Sequence, residues 1–466
     1  MSQGPNILFI LADQVRASSL PTWGETQIET PHLQRLAGES VILDNMIATA
    51  PVCTPYRAML TTGRHPQTTG HIMNFINTRH DEIGLGDVFA RNGWRTSWVG
   101  KWHLHRGSFP EIDGGDYVPE GRDRLGFEHW RGYNFHTDYF GGTVNTEDWH
   151  KEHWQGYETD ALARYAIEFM EGVGDDERFC LFVSPHQAHY TPYRYAPEQY
   201  YQRLPEELTL PANTPPEMVE GLQQSLRDYL AMILTLDDMV GELLAWLERS
   251  GRAQDTLVIF TADHGTQMGS QGGHAWEKKQ PWEESIRVPW MMRWPGVFEG
   301  GIRRDPLTAP VDIFPTLCGL CNLPLPRTVE GYNLADAWRG LPGAFEQEAL
   351  LTMNFSASHD WLLDGHDWRG VRTKTHSFAR RLAGDDELYD LAADPLQMNN
   401  LAGSAAAADV QAELETQLEA LLALRNDSFR PCQEYSDWFD NQRRVVRNMF
   451  GPLGDPEDQP DWSLLW

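Results

Sequence analysis

Short runs of strand length constrain this chain more than any other feature. Residues 6–11, 179–184 and 257–261 are almost continuously apolar, and residues 94–99 read as a further strand. A strand without polar–apolar alternation is covered on both faces, as expected at the centre of a parallel sheet. Each run stops at residues suited to chemistry. Asp13 and Gln14 follow residues 6–11, Lys101, His103 and His105 follow 94–99, His186 and His189 follow 179–184, and Asp263 and His264 follow 257–261. In open α/β sheets ligands bind beyond the carboxyl ends of strands, so these side chains converge on one edge. Residues 218–251 carry leucines at helical spacing up to Gly251 and read as scaffold.

Residues 51–64 set a cysteine beside a helix start, with Arg57 and Arg64 close behind. Thr54 is a suitable N-cap and Pro55 a suitable first helical residue, which places Cys53 at the positive end of a short helix. That position favours an anionic nucleophile or ligand. A small buried cysteine in a turn fits this stretch equally well when it is taken alone.

The 466 residues suffice for one large domain and a smaller one. A net charge of −29 repels nucleic acid and anionic membrane surfaces, and weighs against a highly sulfated polymer as substrate. The five cysteines (53, 180, 318, 321, 432) suit a reducing compartment better than a disulfide framework. Cys318 and Cys321 have redox or zinc spacing, but they lie in an apolar segment without a second pair, so helix packing is the expectation. No signal peptide or membrane-length apolar run is visible, and a cytoplasmic location is expected. Residues 107–157 are irregular and rich in aromatic residues, the texture of a substrate-selecting insert.

Taken together, residues 6–14, the Cys53-Thr54-Pro55-Tyr56-Arg57 signature, and residues 100–104, 261–265 and 278–289 resemble the type I sulfatases of the alkaline-phosphatase-like superfamily. Residues 310–317 and 387–401 add to the likeness, which covers nearly the whole chain. Several ordered blocks are far more specific than one motif. The resemblance implies an α/β fold: a large mixed, mostly parallel sheet flanked by helices, with a smaller C-terminal antiparallel sheet and helix. It sets a catalytic domain at 1–344, a C-terminal subdomain at 345–424 and a tail at 425–466.

It also implies that Cys53 is oxidised to formylglycine by a formylglycine-generating enzyme. Its hydrate offers one hydroxyl for attack at sulfur and a second to expel sulfate. Asp13, Gln14, Cys53, Asp263 and His264 match the ligands of one divalent metal, Ca²⁺ first, with Mn²⁺ or Mg²⁺ as alternatives. Gln14 stands where many members have aspartate, and Tyr56 where a small residue is usual. Arg57 and Lys101 match groups that hold the hydrated aldehyde, and His103 the base that helps expel sulfate. His189 and Lys278 match the groups that hold the sulfate and protonate the leaving oxygen, with His186 and Lys279 as near neighbours in sequence.

Three functions fit. The first is hydrolysis of a sulfate monoester on a small organic or saccharide substrate. The second is cleavage of phosphonate monoesters or phosphodiesters, and the third is anion binding by an unconverted Cys53. The tail ends in an apolar segment, Leu464 to Trp466, that docks either on the chain itself or on another subunit, giving a homo-oligomer.

Overall fold

The computed structural model describes residues 4–105, 116–146, 150–357, 360–363 and 367–465. Parts of the irregular insert (106–115 and 147–149) and Trp466 lie outside the described residues.

A ten-stranded sheet organises the larger part of the chain. Its strands are β1 (Asn6–Ala12), β2 (Val41–Leu43), β3 (Trp94–Lys101), β4 (His129–Tyr133), β5 (Thr143–Asn145), β6 (Lys151–His153), β7 (Arg178–Ser184), β8 (Thr256–Ala262), β9 (Trp290–Arg293) and β10 (Ile302–Arg304). They run in the order β10-β2-β9-β8-β1-β7-β3-β4-β5-β6. The five central strands, β8 to β4, are all parallel, whereas β9, β5 and β6 join antiparallel. In β1 and β8 every residue is buried, as their uninterrupted apolar sequence requires. Strands β4 to β6 were not legible in the irregular insert. They are short and sit toward one side of the sheet, where pairing with a neighbour rather than side-chain periodicity defines them.

The expected scaffold helix spans Val219–Arg249. Among the described residues no helix is long and apolar enough to cross a membrane. The five cysteines are buried and no disulfide joins them, and Cys318 and Cys321 belong to the helix Pro310–Cys321.

A second, antiparallel sheet has the order β11 (Leu350–Asn354), β12 (Trp368–Arg372), β13 (His376–Arg381), β14 (Glu387–Asp390). The helix Ala408–Leu424 buries Leu414, Leu418 and Leu422 in the same apolar cluster as Val371 and Phe378 of this sheet. Strands β12 and β13 pair as an antiparallel hairpin. In the tail, Cys432, Tyr435 and Trp438 join this cluster, while Leu465 is buried in the main core and Trp462 lies under the Arg91 guanidinium.

The helix Cys53–Thr62 is buried along its whole length between the two cores: Tyr56, Ala58 and Leu60 pack in the first and Met59 in the second. Each fully buried large side chain contributes roughly 1.5–3 kcal/mol, so the segment is held from both sides. Its start differs from the sequence expectation. The helix begins at Cys53 with Val52 as N-cap, so Thr54 is not the cap and Pro55 is not the first helical residue. The reason is tertiary. The Asn74 side chain accepts a hydrogen bond from the Thr54 N–H, and the Thr54 hydroxyl donates to the His103 carbonyl at 2.6 Å. A long-range partner therefore replaces the local cap.

Candidate active site

The carboxyl ends of β1, β3, β7 and β8 bring the sequence-nominated residues together. Asp13 follows β1, and its backbone exchanges hydrogen bonds with Gln187 and Ala188 beyond β7. Lys101 closes β3, Ser184 closes β7, and Asp263 follows β8. Gln14 has φ +62°, a left-handed turn in which its N–H donates to Asp263 Oδ1 at 3.1 Å.

Cys53 Sγ lies at the meeting point. His264 Nε2 is 3.1 Å away, Lys278 Nζ 3.5 Å, Lys101 Nζ 3.6 Å and Asp13 Oδ1 4.0 Å. Burial and Asp13 push the Cys53 thiol up, but Lys101 and Lys278 outweigh them and the thiol titrates below its ordinary value. Burial would likewise raise the Asp13 carboxyl, yet the Lys101 ammonium, the strongest opposing influence, holds it well below the usual carboxylate range. Arg57 is fully buried. Its Nε and Nη2 reach Asp263 Oδ2 at 3.1 and 3.0 Å, and Nη1 donates to the Lys101 carbonyl and Ser184 Oγ, both at 2.8 Å.

The donor set fits a divalent cation. Asp13, Cys53, Asp263 and His264 each offer a ligand atom, all within 4.8 Å of one another and all buried. His264 Nδ1 donates to the Gly265 carbonyl at 2.9 Å, which leaves the Nε2 lone pair facing the cluster. Gln14 Nε2 is tied to Thr266 Oγ1 and the Trp276 carbonyl, so its carbonyl oxygen Oε1 is the atom turned toward Lys278. Two carboxylates, an imidazole and an amide oxygen suit a hard or borderline cation. The group His32, Asp237 and Asp238 is otherwise engaged: Asp237 accepts from the Leu33 N–H at a helix start and Asp238 pairs with Arg203.

Two lysine–histidine pairs flank Cys53. Lys278 Nζ is 3.1 Å from His189 Nε2, and Lys101 Nζ is 3.0 Å from His186 Nε2. Lys279 turns away to Glu277. His103 is placed differently from the others. Its ring is buried against Phe75 and Phe135, and neither nitrogen has a hydrogen-bond partner among the described residues. Burial, Lys101 and Arg57 depress its pKa well below the ordinary value, so it is a neutral ring with a free lone pair. Sequence reasoning missed Ser184, Asn74 and Phe135. Only the first leaves a trace in sequence, as the residue ending a strand.

A cavity of about 450 Å³ opens over this centre, lined by Gln14, His189 and Lys278 below and by Phe135, Tyr190 and Trp276 at the side. Trp276 is braced by Tyr195, stacked at 5.4 Å, and by Tyr229.

A parallel sheet that gathers carboxylates, lysines and an arginine around one side chain at a helix start defines a hydrolase centre for anionic esters. The sulfatase family model matches residues 5–323, and a model described as N-sulphoglucosamine sulphohydrolase, C-terminal, matches residues 272–424. The chain belongs to the sulfatase family and is a sulfuric ester hydrolase. An ulvan-active sulfatase of Formosa agariphila is 34% identical over 444 residues, covering 92% of this chain and 83% of that protein. An N-acetylglucosamine-6-O-sulfatase of Bacteroides thetaiotaomicron is 25% identical, with 95% of this chain and 90% of the relative covered. Among solved structures, a putative sulfatase of Bacteroides fragilis superposes with a TM-score of 0.80 at 25% identity, covering 92% of this chain and 97% of that one. A phosphonate monoester hydrolase of Silicibacter pomeroyi shares the fold alone, with a TM-score of 0.72 at 19% identity over 91% of this chain and 96% of that one.

Proposed function

We propose that the chain hydrolyses the sulfate monoester of a small saccharide, using a formylglycine made from Cys53 and one divalent cation, Ca²⁺ first, held by Asp13, Gln14, Asp263, His264 and the modified residue. The convergence of Lys101, Lys278 and His264 on Cys53 Sγ carries this reading. The hydrated aldehyde supplies the attacking hydroxyl, and the cation supplies the charge that acidifies it.

The chain's own residues do the rest. Three cationic side chains, Arg57, Lys101 and Lys278, face two carboxylates, so the pocket draws in a singly charged sulfate ester even before a cation is counted. His189 Nδ1 donates to the Tyr190 carbonyl at 2.8 Å, and its Nε2 therefore accepts from Lys278. Lys278 carries the proton for the leaving oxygen, and neutral His189 holds that ammonium in line. His103, with its free lone pair, takes a proton from the residue-53 side chain when sulfate departs.

The aromatic wall of Phe135, Tyr190 and Trp276 supports a ring-shaped alcohol portion, and the names of the Formosa and Bacteroides relatives point the same way. Buried thiols at Cys53, Cys180, Cys318 and Cys321, outside any disulfide, support a cytoplasmic setting. Any homo-oligomer would involve the tail, and deletion of residues 455–466 with an unchanged mass in solution would remove that part of the proposal.

Peptide mass spectrometry across residues 51–57, from a host with the modifying machinery, is the test. A mass about 18 Da below the cysteine form is expected for the thiol-to-aldehyde change. Unmodified cysteine in that host would leave anion binding as the function. Ranking kcat/KM on aryl sulfate against phenyl phosphonate and diesters separates the phosphonate reading, and sulfate should lead.

A further inference from the structure

Lys101 has three ammonium N–H bonds and three acceptors: Asp13 Oδ2, His186 Nε2 at 3.0 Å and Cys53 Sγ at 3.6 Å. With two directions taken by Asp13 and His186, the third is set on residue 53. The protonation of His186 follows from its other nitrogen. Nδ1 lies against the His136 carbonyl, which can only accept, so Nδ1 carries the hydrogen and Nε2 presents a lone pair.

The segment that carries the ring is tied down. The backbone N–H of His186 donates to Glu158 Oε1 at 3.4 Å, Gln187 Nε2 donates to Glu158 Oε2 at 3.1 Å, and the Tyr133 hydroxyl donates to the same carboxylate. Tyr139 Oη donates to the His189 carbonyl at 2.8 Å, tying down the other end of the loop. The Phe135 ring lies 4.9 Å from Lys101 Nζ and edge-on to His186 at 5.1 Å. A histidine that merely filled the core would have no reason to aim its one lone pair at a lysine whose Nζ lies 3.6 Å from Cys53 Sγ.

We propose that His186 is a positioning residue: its Nε2 orients the Lys101 ammonium so that one N–H stays on the residue-53 side chain throughout turnover. This rests on the reading of residue 53 as the reaction centre. It assigns His186 a task distinct from that of His189, three residues on, which serves Lys278 instead.

Two substitutions separate the role from simple packing. In His186→Asn the amide can still donate to the His136 carbonyl, but it is too short to reach Lys101. In His186→Gln the side-chain oxygen reaches the place of Nε2. The full chain, with Cys53 conversion matched by mass, is assayed on 4-methylumbelliferyl sulfate. Loss of a hydrogen bond to a charged group predicts a fall in kcat of about ten- to a hundred-fold for His186→Asn with KM little changed. His186→Gln should recover to within about three-fold of wild type on the same scale. In a Lys101→Ala background neither substitution should cost more, because their effect passes through that lysine. Should His186→Asn not fold, His186→Leu serves as the removal variant, with the same loss expected. Equal losses for Asn and Gln, a wild-type kcat in Asn, or losses that multiply with Lys101→Ala would each overturn the proposal. Absence of wild-type turnover on any sulfate ester would overturn the functional reading as well, and is told apart by the wild-type control.

Discussion

Replacing Arg57 tests whether the charges around Cys53 are organised as described. The guanidinium is fully buried and serves four partners from three nitrogens: Asp263 at 3.0 and 3.1 Å, Asp13 at 3.5 Å, and the Lys101 carbonyl and Ser184 Oγ at 2.8 Å. Arg57→Met leaves two carboxylates in the same buried site with one cation fewer. Breaking a buried ion pair by removing one partner costs about 3–5 kcal/mol. Arg57→Lys keeps the charge on a single nitrogen, which cannot span the same partners, and loses about 1–3 kcal/mol through the neutral acceptors. Urea unfolding of metal-stripped protein should therefore rank wild type above Lys and Lys above Met, the last two separated by about 2 kcal/mol. Asp13, held low by Lys101 against the effect of burial, contributes stability above the ordinary aspartate range that is lost as pH falls through its depressed pKa. Without Arg57 that loss should begin at a higher pH. An Arg57→Met protein within about 0.5 kcal/mol of wild type would refute the reasoning, because Asp13 and Asp263 could not then be charged partners of the guanidinium.

Burial raises the Glu158 carboxyl to about 7, against donors from Tyr133 and Gln187 that pull it down. Its stabilising contribution is full below the ordinary glutamate range and is lost as pH rises through about 7. Between those limits Glu158→Gln should gain about 3 kcal/mol relative to wild type at roughly 1.4 kcal/mol per unit, measured by urea midpoints at acid and mildly alkaline pH; a constant difference would contradict it. Chelation should abolish turnover, and Ca²⁺ at about 100 times Kd should restore it with about 2.7 kcal/mol of added stability; full activity after exhaustive chelation would exclude the cation. Asp263→Asn should lose most of that Ca²⁺-dependent stabilisation. Trp276→Ala should raise KM for a sulfated sugar by about three- to ten-fold with a smaller change in kcat, and an unchanged KM would remove Trp276 from the substrate wall.

Much of this protein is legible in one dimension because strand and helix propensity act over a few residues. The apolar runs became β1, β7 and β8, the leucine stripe became the helix Val219–Arg249, and the residues after each strand had to gather at one sheet edge. The choice among neighbouring candidates was not local. Lys278 rather than Lys279 reaches Cys53, and His189 and His186 divide between two lysines, through contacts that join positions 85 to 225 residues apart. The cap of the Cys53 helix was misjudged for the same cause, since Asn74 and His103 satisfy groups that the sequence alone assigns to a neighbour. Strands β4 to β6 and the Phe135 wall had no periodic signal, being defined by pairing and by the rings they face. Sequence thus determined which chemical groups arrive at the sheet edge, because backbone direction delivers them there. Tertiary packing alone decided which group holds which, because a buried donor is costly until one particular acceptor meets it.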